Sequence, residues 1–353
     1  MGESLEIGFF TDSYFPEIDG VTYTLDSWKT RLEERGHNVH IVYPESSEYT
    51  PGDNEIPVKS ISNPFYEGYN IPIPVSRPDY PELDVIHCHS PAFLGVSGLR
   101  YAGKNNVPAV YTHHTPVEEY FEQSIKSSVL ANLLKKIYVP FEEWLLGKFD
   151  VLTSSTEEPR RDLELKKLPV GVDTDFFCPR NENFFSDKNL KRPIIGYSGR
   201  ISMEKNPTEL LDMAGKFEGT LVLVGEGPLR EKIDDKKPDN VVTMDFLDRD
   251  DLPVFYSSID AFVTASTGDT LGLSTLEANA CGTPVVAPDV VPFDKTIKEE
   301  NGLLYNKGDI EDFNKTVLDV LKKEFDSTQA IEKYSLSSTI DRLEEIYFEL
   351  NED

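Results

Sequence analysis

Cysteine is scarce in this 353-residue chain: Cys88, Cys178 and Cys281 are odd in number and far apart. Such spacing supports neither a disulfide framework nor a zinc cluster, and a reducing cytoplasm is the expected setting. No window approaches the run of about 18 apolar residues needed to span a bilayer. The start, Met-Gly-Glu-Ser-Leu-Glu, has no basic stretch ahead of an apolar core and fits a myristoylation pattern poorly. Neither a secretory signal nor an N-terminal lipid is therefore expected. Cations are few: 35 Lys and Arg stand against 63 Asp and Glu, a formal charge of −28. A surface of that sign repels nucleic acid, because phosphate contacts need Lys and Arg. The acidity fits adaptation to a salty cytoplasm, where screening weakens self-repulsion, and equally a plain soluble acidic protein. Internal repeats and low-complexity tracts are missing as well.

What recurs is a short apolar strand followed by a helical pattern, the sign of parallel α/β units. In the first half, Leu5–Phe10, Val39–Val42, Val85–Cys88, Ala109–Tyr111 and Val151–Thr153 are strand candidates. Gly20–Arg35 reads as a helix closed by Gly36 at the C-cap. The second half repeats the scheme with strands at Pro193–Tyr197, Leu221–Val224, Val241–Thr243, Ala261–Thr264 and Pro284–Ala287, and a helix at Pro207–Ala214. Polar, turn-rich Pro179–Arg192 reads as an inter-domain linker. In Ser335–Leu350, residues Leu336, Ile340, Leu343, Ile346, Tyr347 and Leu350 fall at helical spacing. Two parallel sheets in tandem put their strand C-termini around a shared cleft, where open α/β sheets bind ligands.

Four motifs stand at such strand ends. Thr11–Val21 follows the first strand, and its Gly20 opens a helix whose free N–H groups suit an anion; simple turn geometry explains the glycine equally well. Gly199–Asn206 carries Arg200 and Lys205, a guanidinium fork and a point charge suited to a leaving diphosphate. Each charge-assisted bond is worth roughly 1.5–3 kcal/mol. Gly225-Glu226-Gly227-Pro228 is either a backbone surface for a nucleotide or a bare turn. The fourth is the most informative. Asp269 sits on a loop, Thr270, Leu271, Gly272 and Leu273 lead into a helix, Glu277 lies about two turns on, and Cys281-Gly282-Thr283-Pro284 enters the next strand. One carboxylate can face a sugar, the other can accept from ribose hydroxyls, and the N–H groups near Gly272 and Leu273 can meet a phosphate.

The stretches FTDSYFPEIDGV, YTHHTPVEEY, LPVGVDTDFF, YSGRISMEKN, LVGEGP and TGDTLGLSTLEANACGTPVVAP run in order along nearly the whole chain. Together they resemble the retaining GT-B glycosyltransferases of glycosyltransferase family 4. The early stretches look closest to the branch that glycosylates membrane lipids, such as diacylglycerol glucosyltransferases. The resemblance implies two Rossmann-like domains with parallel sheets facing a central cleft. Residues 1–180 would bind the acceptor, residues 181–334 the nucleotide sugar, and the terminal helix 335–353 would pack back on the first domain. Gly20 would lie by the diphosphate and acceptor, and His114 by the donor sugar. Gly199 and Gly225 would line the nucleotide, Arg200 and Lys205 would hold the diphosphate, Asp269 the sugar hydroxyls and Glu277 the ribose.

The implied reaction moves a hexose from an NDP-sugar, UDP-glucose or a relative, to a hydroxyl of a membrane lipid. The sugar nucleotide is a co-substrate, and the family needs neither a cofactor nor a bound metal. No general base is required, since the leaving phosphate oxygen can itself take the acceptor's proton. A soluble or polyprenyl-linked glycan as acceptor, a GT-B-shaped sugar-nucleotide epimerase or hydrolase, and a catalytically idle nucleotide-sugar sensor remain alternatives. Two features depart from the family pattern. Asp269 stands where Glu is common, and the segment Glu158–Leu168 is short ahead of an expected Gly171–Asp173 strand. Finally, 120–149 mixes Lys126, Lys135, Lys136 and Lys148 with Ile125, Val129, Leu130, Leu133, Leu134 and Ile137. That pattern fits either a core-facing helix or one lying on an anionic bilayer, which would place the enzyme peripherally on the inner face of the cell membrane.

Overall fold

The computed structural model describes residues 4–17, 20–63, 70–73, 79–114, 128–154, 163–269 and 271–352. Thr270 and residues 158–162 of the short segment therefore lie outside the described residues, as do residues 120–127. The chain divides into two compact units, Met1–Val170 with Thr339–Asp353, and Gly171–Ser338.

In the first unit, β1 (Glu6–Phe10) is followed by α1 (Gly20–Glu34), β2 (Asn38–Pro44), β3 (Glu55–Val58), the antiparallel pair β4 (Ser60–Ser62) and β5 (Asn70–Pro72), then β6 (Val85–Cys88), α2 (Phe93–Asn105), β7 (Ala109–His113), α3 (Ser128–Leu146), β8 (Val151–Ser154) and β9 (Lys166–Lys167). The sheet order is β3-β2-β1-β6-β7-β8-β9, parallel throughout. Strands so enclosed must be apolar on both faces, and Ile7, Phe9, Phe10, Val85 and Ile86 are all buried. Helix α1 buries Leu25, Trp28 and Leu32, one face at helical spacing. It ends where Gly36 takes φ +96° and the His37 N–H returns to the Leu32 carbonyl at 3.1 Å.

In the second unit, β10 (Ile194–Ser198), α4 (Pro207–Ala214), β11 (Thr220–Val224), α5 (Arg230–Lys236), β12 (Val241–Met244), α6 (Leu252–Ser258), β13 (Ala261–Val263), α7 (Leu273–Ala280), β14 (Val285–Pro288), α8 (Phe293–Thr296), β15 (Gly302–Tyr305) and α9 (Ile310–Val320) alternate. Their order, β12-β11-β10-β13-β14-β15, is again all parallel and is the doubly wound 3-2-1-4-5-6 arrangement. The closing helix α10 (Leu336–Glu352) buries Leu336, Ile340, Leu343, Ile346 and Tyr347. Within the first unit, its Glu344 takes an ion pair from Arg35 at 2.5 Å.

Two expectations need correction. Gly171–Asp173 is no strand: Val172 forms a single bridge to Ser335. The outer sheet position is filled by Lys166–Lys167 instead, paired with Thr153 and Ser154. Nor is Pro179–Arg192 a free linker. Ser257 and Ser258 of α6 accept the Arg180 and Phe184 N–H groups at 2.9 Å, and Phe185 is buried against Phe255. Two phenylalanines in an otherwise polar stretch anchor it to the second unit.

Candidate active site

In the second unit the strand order reverses between β10 and β13, and ligands of such sheets bind outside the strand C-termini at that point. Two loops meet there. One leaves β10 through Gly199 and Arg200, turns at Met203–Lys205, and ends at Asn206, whose left-handed φ of 47° precedes Pro207 at the start of α4. The other leaves β13 and runs to Asp269. They are laced together: the Glu204 carbonyl accepts the Thr267 N–H at 3.1 Å, and Asn206 Nδ2 donates to the Ala265 carbonyl at 3.1 Å. Across this seam Lys205 Nζ donates to Asp269 Oδ1, each side chain about one-fifth exposed (21%). Arg200 is exposed and pairs with no acid among the described residues.

The glycines of the next loop answer to packing. A Cβ on Gly225 would stand 2.1 Å from the Gly199 carbonyl oxygen, and one on Gly227 2.5 Å from that of Ile201. Gly199 and Ile201 in turn donate their N–H groups to Val224 and Glu226 carbonyls at 3.1 and 2.8 Å. The tight-turn explanation of Gly225 therefore holds whatever else this loop contacts.

Helix α7 starts at the same end of the sheet. Gly272 caps it with φ 74° and ψ 53°, and a Cβ there would meet the Phe293 ring at 2.6 Å. Leu271 is buried beneath the turn, and Leu273 opens the helix, whose first N–H groups have no intrahelical partner. Glu277, half-buried, accepts the Tyr256 hydroxyl on Oε2 at 3.0 Å. Burial pushes its carboxyl up, opposed by that bond and by the positive charge of Arg249. The Arg249 guanidinium lies over the Phe176 ring, 4.8 Å from its centroid. Burial holds the Tyr256 hydroxyl well above its usual range, and the Ser198 side chain at the C-terminal end of β10 acts against this. Arg200, Lys205, Asp269, Gly272 and Glu277 thus gather at one end of one sheet.

In the first unit, the loop after β1, His89 after β6 and His114 after β7 hold the corresponding strand ends. Period-two alternation sends Phe9, His87 and His89 to one face, where they meet Trp28 of α1. The His87 and His89 rings meet at a tilt of 33° with centroids 4.2 Å apart, and His89 Nδ1 lies 3.0 Å from His114 Nε2. His87 bonds Tyr347 of α10 and Thr112, both at 2.6 Å. Burial, reinforced by neighbouring imidazoles, holds His87 and His89 well below the usual histidine range. On the opposite face Asp12 Oδ1 accepts the Leu94 N–H at 2.9 Å at the start of α2. Burial raises the Asp12 carboxyl to about 6, against the bonds from Leu94 and Phe93. Gly20 is exposed at the start of α1, and a Cβ on it would meet no atom within 4 Å. Among the described residues no group of three or more His, Cys, Asp or Glu is placed to hold a metal ion.

Residues 18–195 match the family model for Glycosyltransferase Family 4, and residues 180–337 that for Glycosyl transferases group 1. The chain belongs to glycosyltransferase family 4. It is 27% identical over 80% of its length to an alpha-monoglucosyldiacylglycerol synthase of Streptococcus pneumoniae, covering 71% of that protein. It is 26% identical to the Acholeplasma laidlawii protein of the same name, over 86% of both chains. A GDP-mannose-dependent alpha-mannosyltransferase of Mycolicibacterium smegmatis is 28% identical over 81% of this chain and 80% of its own. Among solved structures, sucrose-phosphate synthase from Thermosynechococcus elongatus superimposes with a TM-score of 0.75 at 19% identity, over 98% of this chain and 99% of that one. The fold is GT-B, with two Rossmann-like domains, and the family 4 chain is a glycosyltransferase. Thr270 alone of the candidate residues lies outside the described residues. No motif in the sequence singles out His87, His89 or Tyr256. Two histidines at i and i+2 at the end of an apolar strand were the available signal for the first pair; nothing local marks Tyr256.

Proposed function

We propose that this enzyme transfers a hexose from a UDP-sugar, with retention of configuration, to a hydroxyl of a membrane lipid. The observation that carries the reading is the gathering of Arg200, Lys205, Asp269 and Glu277 around the switch point of the second sheet. Arg200 and Lys205 would hold the diphosphate and stabilise the charge that develops as it leaves, with no metal required. The α7 N-terminus would add its N–H groups. Asp269, paired with Lys205 in the resting site, would turn to the sugar hydroxyls once the diphosphate claims the lysine, and Glu277 would take the ribose. His114 would stand beside the donor sugar, held by His89. UDP as the nucleotide is supported by the likeness in fold to Anabaena HepE, solved with UDP-glucose, at a TM-score of 0.69 and 17% identity.

A lipid acceptor is supported by the names of two relatives, which make glucosyldiacylglycerol, and by α3. No helix among the described residues is long and apolar enough to cross a membrane. Yet on α3 Leu133, Ile137, Phe141 and Trp144 are 54%, 63%, 41% and 60% exposed, one stripe at helical spacing. Val139, Leu145 and Leu146 occupy its buried side. Lys136 is exposed beside the stripe, and Lys148 lies 5.7 Å from the Trp144 ring centroid. An apolar stripe with flanking lysines suits the surface of an anionic bilayer, making the enzyme peripheral. The test is a screen of UDP-glucose, UDP-galactose and GDP-mannose against diacylglycerol vesicles, with products read by mass spectrometry. Glycosyl-diacylglycerol made by the wild type and lost in Lys205→Ala and Glu277→Ala is the expected outcome. Free sugar or an epimer formed without acceptor, or transfer only to soluble or polyprenyl-linked glycans, would overturn it.

A further inference from the structure

Glu277 has only one of its oxygens held by the protein. Oε2 takes the Tyr256 hydroxyl at 3.0 Å, while Oε1 has no hydrogen-bond partner among the described residues. The tyrosine that makes this bond cannot wander. It is 1% exposed, its ring meets Phe255 and Phe262 with centroids 5.6 and 5.7 Å away, and its carbonyl accepts Thr283 Oγ1 at 2.6 Å. The side chain of Ser198, the last residue of β10, acts on its hydroxyl and favours the ionised form. The bond has one direction, from the Tyr256 hydroxyl to the Glu277 carboxylate. It joins α6 to the second turn of α7 and engages one carboxylate oxygen, Oε2.

Accordingly, we infer that Tyr256 is a positioning residue: it fixes the rotation of the Glu277 carboxylate so that Oε1 is presented to the ribose hydroxyls of the donor nucleotide. This inference rests on the reading of Glu277 as the ribose-binding acid. A carboxylate free to rotate must lose that freedom on binding, and one already bonded on one oxygen does not, so the benefit appears only with a ligand that has ribose hydroxyls. The charged and titratable groups facing Glu277 are Tyr256 from α6, Arg249 from the turn before it, and Cys281 at the end of α7. Arg249 and the tyrosine hydroxyl favour the ionised carboxylate, and burial opposes it.

The measurement is calorimetric binding of UDP and of 2′,3′-dideoxy-UDP to the full chain as wild type, Tyr256→Phe, Ser198→Ala and Glu277→Gln. In Tyr256→Phe the affinity for UDP falls about tenfold, the weight of one charge-assisted hydrogen bond, while dideoxy-UDP binding stays within about twofold. Ser198→Ala moves the same way by a smaller factor, and it carries the test should the phenylalanine variant not fold. UDP affinity in Tyr256→Phe also declines at higher pH than in the wild type, since the carboxyl has lost a donor. A tyrosine that merely supported packing would weaken both ligands equally. Preference for UDP intact in Tyr256→Phe and Ser198→Ala but lost in Glu277→Gln would overturn the role given to Tyr256. Preference intact in Glu277→Gln as well would show instead that Glu277 does not bind the ribose, and the inference would fall with that reading.

Discussion

His89 Nδ1 and His114 Nε2 lie 3.0 Å apart at the ends of β6 and β7, and the His89 ring in turn packs against that of His87. One proton serves the hydrogen bond between the two rings, so one donates and the other accepts; a second proton on the accepting nitrogen would break it. The pair ties the residue expected beside the donor sugar to a column that reaches Tyr347 of the last helix through His87.

Acid should therefore unfold this enzyme through its histidines. His87 and His89 titrate below their unfolded value in the folded chain. The folded state then binds fewer protons than the unfolded one, and the stability they contribute is complete above about pH 6.5 and is lost as pH falls below it. Each such group contributes a slope of up to about 1.4 kcal/mol per pH unit in that window. Melting temperature measured from pH 7.5 to 5 should drop less steeply in His89→Gln than in the wild type. Identical slopes would count against the assignment.

Asp12 has the opposite sign. Its carboxyl is raised to about 6, so the stability linked to its protonated form is present at low pH and lost as pH rises through 6. Asp12→Asn keeps an acceptor for the Leu94 N–H and removes the buried charge. Its stability relative to the wild type should rise between pH 5 and pH 7.5, as read by chemical denaturation at the two values.

Gly20 separates function from folding. A Cβ there has open space around it and the position is helical, so Gly20→Ala should leave the melting temperature unchanged or slightly raised. If the α1 N-terminus meets substrate, transfer should fall by on the order of 10²-fold, the cost of displacing a bound group by a methyl's width. Full activity in this variant would remove Gly20 from the site.

Lys205→Ala should lower kcat by about 10²–10³, as for loss of one group stabilising transition-state charge. The accompanying change in stability should be under about 1 kcal/mol, because a partly exposed ion pair contributes little. Steady-state kinetics and urea unfolding on the same preparation check both halves.

Ile137→Ser with Trp144→Ser should abolish flotation with anionic vesicles while leaving the fold intact, since both side chains are already exposed. Each buried apolar side chain is worth roughly 1.5–3 kcal/mol, or tenfold and more in partitioning. Unchanged flotation would mean that α3 is not the docking face.

Apolar strands separated by helical patterns, and glycines at strand ends, were legible without coordinates, because period and turn chemistry are local properties of a chain. From them came the two parallel sheets, the closing helix, and the loops that carry Arg200, Lys205 and Asp269. Other features needed the fold. Whether Pro179–Arg192 hangs free or packs depends on Phe185 finding Phe255, some seventy residues on. The apolar side of α3 reads the same in sequence whether it faces a core or solvent; only tertiary packing assigned Val139 and Leu145 to the inside and Trp144 to the outside. Likewise the partners of Glu277 and His114 come from strands and helices distant in sequence. Hydrogen bonds of that kind leave no local pattern, because they form only after non-neighbouring strand ends are brought side by side.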